Sequence, residues 1–144
     1  MRSALESTEL GVLALPESTF HHFGTMPEFL DATDPDSDLA REFSFSGLVM
    51  DSNLEPDSVP KRCVVENSIL GGQVKLNPNS IVSCVRVEGR ELEIPGGLAL
   101  QTVPVGSSGS FVTLAFGVGD DMKAVAASPG DLCWNGKKLK EYFR

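Results

Sequence analysis

VVENSILGGQVKLNPNSIVSCVRVEGRELEIPGGLAL, residues 64–100, places an aliphatic residue at almost every sixth position. Val64, Leu70, Leu76, Val82, Ile94 and Leu100 share one frame, which only Glu88 interrupts. Turn-forming residues fall between them, at Gly71-Gly72, Asn77-Pro78-Asn79, Glu88-Gly89 and Pro95-Gly96-Gly97. LNPNSI (76–81) and IPGGLA (94–99) both fit an aliphatic–small–x–x–small–x hexapeptide, with Asn77 and Pro95 where Gly is usual. Val64, Val82 and Leu100 are spaced by 18 residues, the length of three such units.

A six-residue unit is one short strand and one turn, and three of them make a triangular coil. An aliphatic side chain at a fixed place in each unit points to the coil axis, and stacked coils bury a continuous column. The frame therefore predicts a mainly β chain with a parallel β-helix of hexapeptide-like coils. Gly and Pro punctuate the stretch too often for a helix. An antiparallel meander of short strands is the other reading of the same pattern.

Outward from this stretch the signals are local. STFHHF (18–23) reads as a strand ended by Gly24. Thr25 followed by Glu28 gives T-x-x-E, the capping-box spacing, so PEFLDAT predicts a helix with Phe29 and Leu30 facing inward. DPDSDLAREF (34–43) suits about two turns of helix, and FSFSGLVM (43–50) alternates as a half-buried strand. DSNLEPDSVP (51–60) reads as a loop. Downstream, GSSGS (106–110) is a turn and FVTLAFG (111–117) a strand on or beside the stack. VGDDMKAVAAS (118–128) predicts a short helix started by Asp120 or Asp121. KKLKEYFR (137–144) predicts a terminal helix with Leu139, Tyr142 and Phe143 on one side. The expected organisation is 1–50 as a strand–helix–strand segment, 51–126 as the β-helix and 127–144 as a helical tail.

The chain has 144 residues, enough for one compact domain, with 12 Lys+Arg against 20 Asp+Glu and a net charge of -8. An acidic chain without a basic cluster is a poor partner for nucleic acid or anionic membranes. No apolar run approaches the length of a membrane span, and the opening MRSALESTEL lacks the basic start and apolar core of a signal peptide. Cys63, Cys84 and Cys133 are odd in number and form no CxxC pair, the usage of free thiols in a reducing compartment.

Chemistry-bearing residues are sparse. His21 and His22 are the only histidines, and as neighbours on a strand they would point to opposite faces. No HxxxH or CxxC spacing offers a metal cage. GVGDDM (117–122) holds a lone GxG without the rest of a nucleotide fingerprint. GSSGS (106–110) offers backbone N–H groups for an anion, although a plain turn is much the stronger reading. Ser18, Ser68 and Ser110 lack the His and Asp context that activates a nucleophile. These residues alone assign no catalytic residue and no metal ligand.

Three ordered blocks carry a resemblance. FHHFGTMPEFL (20–30), VENSILGGQVKLNPNSIVSCVRVEG (65–89) and TLAFGVGDDMKAVA (113–126) resemble segments of the fucose-1-phosphate guanylyltransferase family, also called GDP-L-fucose pyrophosphorylases. The pyrophosphorylase region of fucokinases is the runner-up. The resemblance implies transfer of GMP from GTP to fucose 1-phosphate, giving GDP-fucose and pyrophosphate, with Mg²⁺ in the full enzyme and in the cytosol. It also implies the left hand of the β-helix, an exception known for hexapeptide helices, whereas ordinary parallel crossovers are right-handed. FHHFGT further resembles the W-x-D-x-G-T segment that closes sugar-nucleotidyltransferase catalytic domains. Phe20 then takes the Trp place, His22 the Asp place, and Gly24 and Thr25 match. A histidine is a poorer Mg²⁺ ligand than a carboxylate, so His22, Gly24 and Thr25 are expected to contact phosphate or sugar. Glu28 is expected as a cap.

The Gly-rich loop with a basic residue that holds the triphosphate in such enzymes is missing from these 144 residues, as is a kinase ATP loop. The chain is accordingly expected to combine the end of a catalytic domain with the β-helix. It would be inactive alone, bind no cofactor of its own, and serve packing or homo-oligomerisation through the β-helix. A non-catalytic binding or assembly module is a further alternative. Hexapeptide acyltransferases carry a catalytic histidine on or beside a coil, and residues 61–105 contain none.

Overall fold

A computed structural model describes residues 11–43, 48–54 and 59–143. Two short helices, α1 (Met26–Thr33) and α2 (Asp38–Phe43), come first. The strands follow: β1 (Leu48–Met50), β2 (Val64–Glu66), β3 (Ile69–Leu70), β4 (Val74–Leu76), β5 (Ile81–Ser83), β6 (Arg86–Val87) and β7 (Leu92–Ile94). Two longer strands, β8 (Leu98–Val105) and β9 (Ser110–Gly117), precede the short pair β10 (Cys133–Trp134) and β11 (Lys137–Lys138).

Hydrogen bonding gathers the short strands into three separate parallel ladders. The first runs β1-β2-β5-β8, the second pairs β3 with β6, and the third pairs β4 with β7. Each strand pairs with its counterpart one repeat later: Val65 opposes Val82 and Val82 opposes Leu100, steps of 17 and 18 residues. An antiparallel meander is not what forms between residues 64 and 100; β9, returning against β8, supplies the one antiparallel pairing of this sheet.

The apolar core lies between the ladders. Val65, Leu70, Val74, Leu76, Val82, Val85, Ile94 and Leu100 form one buried cluster, flanked by Leu54, Val59, Val87, Leu92 and Leu98. The six-residue frame corresponds to it at five positions and slips at two. Val64 is fully buried but outside the cluster, because Val65, its neighbour on the opposite face of β2, occupies the column with Val82. Leu70 likewise pairs with Val87 rather than Glu88, so the first repeat is one residue short of three full hexapeptides. The apparent break at Glu88 is this shortening.

The corners repeat too. Arg62, Asn79 and Gly97 occupy successive equivalent places, each with positive φ (56°, 64° and 79°). The N–H of Asn79 donates to the Arg62 carbonyl at 3.0 Å, and that of Gly97 to the Asn79 carbonyl at 2.9 Å. A second corner stacks Asp51, Asn67 and Cys84, again all with positive φ. Asn, Asp and Gly tolerate this left-handed region, whereas Arg62 and Cys84 adopt it against their steric preference. Buried serines complete the interior: the Ser68 hydroxyl accepts the Val85 N–H at 3.0 Å and donates to the Glu66 carbonyl at 2.7 Å. A second polar seam joins the Cys63 thiol, the Ser80 hydroxyl and the Asn77 carbonyl.

Helix α1 forms where the capping-box spacing places it. The Thr25 hydroxyl accepts the Glu28 N–H and the Glu28 carboxylate accepts the Thr25 N–H. Leu30 faces inward, fully buried, and Phe29 is half-buried. Ion pairs from Lys61 to Asp36 and from Arg62 to Asp31 fasten the α1–α2 segment to the first corner of the stack.

Four expectations are corrected. Residues 18–23 form no strand; β propensity alone cannot make one without a neighbouring strand to pair with. β1, expected to belong with residues 1–50, is a rung of the large sheet; the rest of the FSFSGLVM run lies outside the described residues. No helix forms over 118–128, because the Asp120 carboxylate binds backbone N–H groups of three separate residues instead of capping a new helix. The described residues of the tail hold no α-helix either: single 3₁₀ turns at Pro129–Asp131 and Leu139–Glu141 flank the β10–β11 hairpin. The three cysteines are unpaired, Cys63 buried and the others exposed.

Candidate functional site

The 18-residue reach from Val82 to Leu100 delivers β8 and its return strand β9 to one flank of the stack, and the loop after β9 then meets the start of α1. Between them lies a cleft of about 560 Å³ lined by Phe23–Pro27, Phe29, Gln101, Phe116 and Val118–Lys123. Its latch is a single hydrogen bond: the Lys123 ammonium donates to the Gly24 carbonyl at 2.7 Å. Phe23 and Phe29 meet edge to face in one wall, with ring centroids 5.9 Å apart.

One rim is the capping box. The Glu28 carboxylate accepts the N–H groups of Gly24 and Thr25, both at 2.9 Å, and lies 3.5 Å from His22 Nδ1. The Thr25 hydroxyl, then the N–H groups of Gly24 and Thr25, hold the Glu28 carboxyl below its ordinary range, with the nearby His22 adding to the effect. Gly24 lets the His22 ring fold back close to its backbone: a Cβ there would stand 2.1 Å from His22 Cε1. Because that ring is exposed, a side chain at position 24 would displace it rather than unfold the segment.

The opposite rim is held by Asp120, a buried carboxylate. It accepts the N–H of Gly117 at 2.9 Å, that of Gly136 at 3.0 Å, and that of Asn135. Burial raises its pKa, but the backbone donors of Gly136, Asn135 and Gly117 outweigh burial and keep the carboxyl below its ordinary value. The same three bonds tie the end of β9 to the β10–β11 turn, and Phe116 meets Trp134 edge to face, with centroids 5.8 Å apart.

Of the expected site residues, Gly24 and Thr25 line the cleft, whereas His22 stands beside it, exposed, with its ring 6.2 Å from that of Phe20. Glu28 is the cap it was expected to be. Lys123 and Asp120 are the functional candidates that sequence reasoning passed over. Both lie in the third resembling block, so the cleft joins the first block to the third. Donors for a divalent metal do not converge: among the described residues no three His, Cys, Asp or Glu groups are placed to hold one, and the Asp120 and Glu28 carboxylates already accept backbone N–H groups. The described residues lining this cleft therefore do not fit a Mg²⁺ centre. No helix among the described residues is long and apolar enough to cross a membrane.

The model of the fucose pyrophosphorylase domain matches residues 2–144, and the chain belongs to that family. It is 27% identical over 140 residues to the fucose-1-phosphate guanylyltransferase of Mus musculus, an alignment covering 83% of this chain and 23% of the relative. The chain thus spans about a quarter of that relative's length. No solved structure matches it.

Proposed function

We propose that this chain is the β-helix portion of a cytosolic fucose-1-phosphate guanylyltransferase, the enzyme joining GTP and fucose 1-phosphate to give GDP-fucose and pyrophosphate. The family match over residues 2–144 carries this reading. The left-handed parallel β-helix is part of the proposal; the 17- and 18-residue steps of the ladders support coils of three short strands. Alone the chain is inactive in this reading: the one basic side chain lining the described cleft, Lys123, already donates to the Gly24 carbonyl. Its role is to pack on a catalytic domain and to support oligomerisation.

In the full enzyme, Gly24, Thr25 and His22 face phosphate or sugar at the seam where catalytic domain and β-helix meet, and Mg²⁺ is held by groups outside this chain. Pyrophosphate release from GTP and fucose 1-phosphate is the test. The 144-residue chain should release none, while a full-length relative carrying this segment in place of its own should turn over. Turnover by the isolated chain, or no turnover by a folded hybrid, overturns the reading.

A further inference from the structure

The five-stranded sheet ends in two long strands whose outer edges are treated differently. β8 runs past β5, which stops at Ser83, so Thr102–Val105 has β9 on one side and, among the described residues, no strand on the other. Pro104 sits in this overhang opposite Phe111. Among the described residues β9 pairs with β8 alone. The direction of its backbone groups follows from two bonds. Val118 donates its N–H to the Gly97 carbonyl at 2.9 Å, toward β8, and Gly117 donates to Asp120, away from it. Alternation along an antiparallel strand then turns the N–H and C=O of Ala115, Thr113 and Phe111 away from β8 as well. The register puts Pro104 where its missing N–H would also have pointed outward, so the β8 overhang is guarded by a proline.

β9 has no such guard. Its sequence, SFVTLAFG, contains no charge, no proline and no bulge against β8, and Phe111 is 69% exposed. The other ladders carry charges outward, with Lys75 paired to Glu93 and Arg86 to Glu88. A long, uncharged, unpaired edge strand is a template for another strand.

We propose that this edge pairs with β9 of a second copy, antiparallel and two-fold symmetric about Thr113. In that register Phe111 opposes Ala115 of the second copy, Thr113 opposes Thr113, and Val112 opposes Leu114. All six outward N–H and C=O groups of Phe111, Thr113 and Ala115 are then bonded, and each large side chain meets a smaller or equal one. Charge selects the same edge, since two chains of net charge -8 meet there without opposing any like charges. Beyond Ala115 the pairing stops, because Asp120 already occupies the Gly117 N–H. The proposal gives the assembly role above a surface and a symmetry, and rests on that role and not on nucleotidyl transfer.

Light scattering and sedimentation of the full 144-residue chain test it without any substrate. The expected mass is twice the 15.4 kDa of the chain, falling toward one copy on dilution. T113K sets two ammonium groups face to face at the two-fold and should leave a single copy at every concentration, with far-UV circular dichroism unchanged. A115K, opposite Phe111, should do the same by a different contact and guards against misfolding of the first variant. With Cys84 and Cys133 changed to Ser, T113C should form a disulfide-linked dimer under mild oxidation and V112C should not. A wild-type chain that is one copy throughout, open-ended aggregates, folded T113K and A115K that both keep the doubled mass, or V112C crosslinking as readily as T113C would each overturn the proposal.

Discussion

Between Val64 and Leu100, order comes from repetition: each strand has a parallel counterpart one repeat away, and one apolar cluster fills the space between the ladders. Between Gly24 and Lys123, order comes from a few specific polar contacts, the last of them a hydrogen bond between residues 99 positions apart. The first kind of order is spread over many similar interactions of modest strength. The second is concentrated in the Asp120 carboxylate, the Thr25–Glu28 box and one ammonium. Damage to the stack should therefore unfold the chain, whereas damage to the cleft should loosen a part of it.

The largest effect is expected from Ile94→Ala. Ile94 is 1% exposed, in register with Leu76 inside the cluster. Truncation there should cost about 2–5 kcal/mol, from lost burial and the cavity left behind. Urea denaturation should show one shifted transition common to circular dichroism and to the fluorescence of Trp134. Two separated transitions would mean that the stack and the C-terminal segment are not coupled in the way their contacts indicate.

Asp120→Ala should have a smaller and more local effect. Three backbone N–H groups lose their charged acceptor, a cost of about 1–3 kcal/mol, and the β10–β11 hairpin should exchange its amide hydrogens faster while the ladders of the stack keep their protection. The pH dependence has a definite sign. Asp120 titrates below its ordinary 3.8 in the folded chain, so its contribution is complete above that value and is lost as the pH falls through the lower folded value. Acid should release the Trp134 signal before the far-UV signal, and Asp120→Ala should abolish the separation. An unchanged acid profile in that variant would assign the pin to other groups.

Thr25→Ala should have the smallest effect, about 1 kcal/mol from the lost cap. Fraying of α1, seen as faster exchange at Glu28 and Phe29, is the signature; a loss as large as that of Ile94→Ala would mean that the cleft rim supports the whole fold.

Legibility in the sequence followed the range of the interaction. The Thr25–Glu28 box spans three residues, and its spacing alone located α1. The aliphatic frame likewise located five core positions, because burial recurs along the chain itself. It missed the exchange of Val64 for Val65, since register is set by hydrogen bonding between repeats and one repeat is a residue short. STFHHF was misread for the reverse reason: strand-forming residues specify a strand only if a neighbour pairs with them. Asp120 showed the same ambiguity, for an acidic residue after GVG suits a helix start as well as an acceptor for N–H groups 15 and 16 positions away.

What the sequence determined by itself was therefore the repeat, the cap of α1 and, through three ordered motifs, the fucose pyrophosphorylase family. Tertiary structure decided the register of the columns, the meeting of Lys123 with Gly24, and the unguarded outer edge of β9. The physical reason is common to all three: local spacing fixes which face of an element is apolar, while only closure of the chain upon itself decides which polar groups find partners and which are left facing outward.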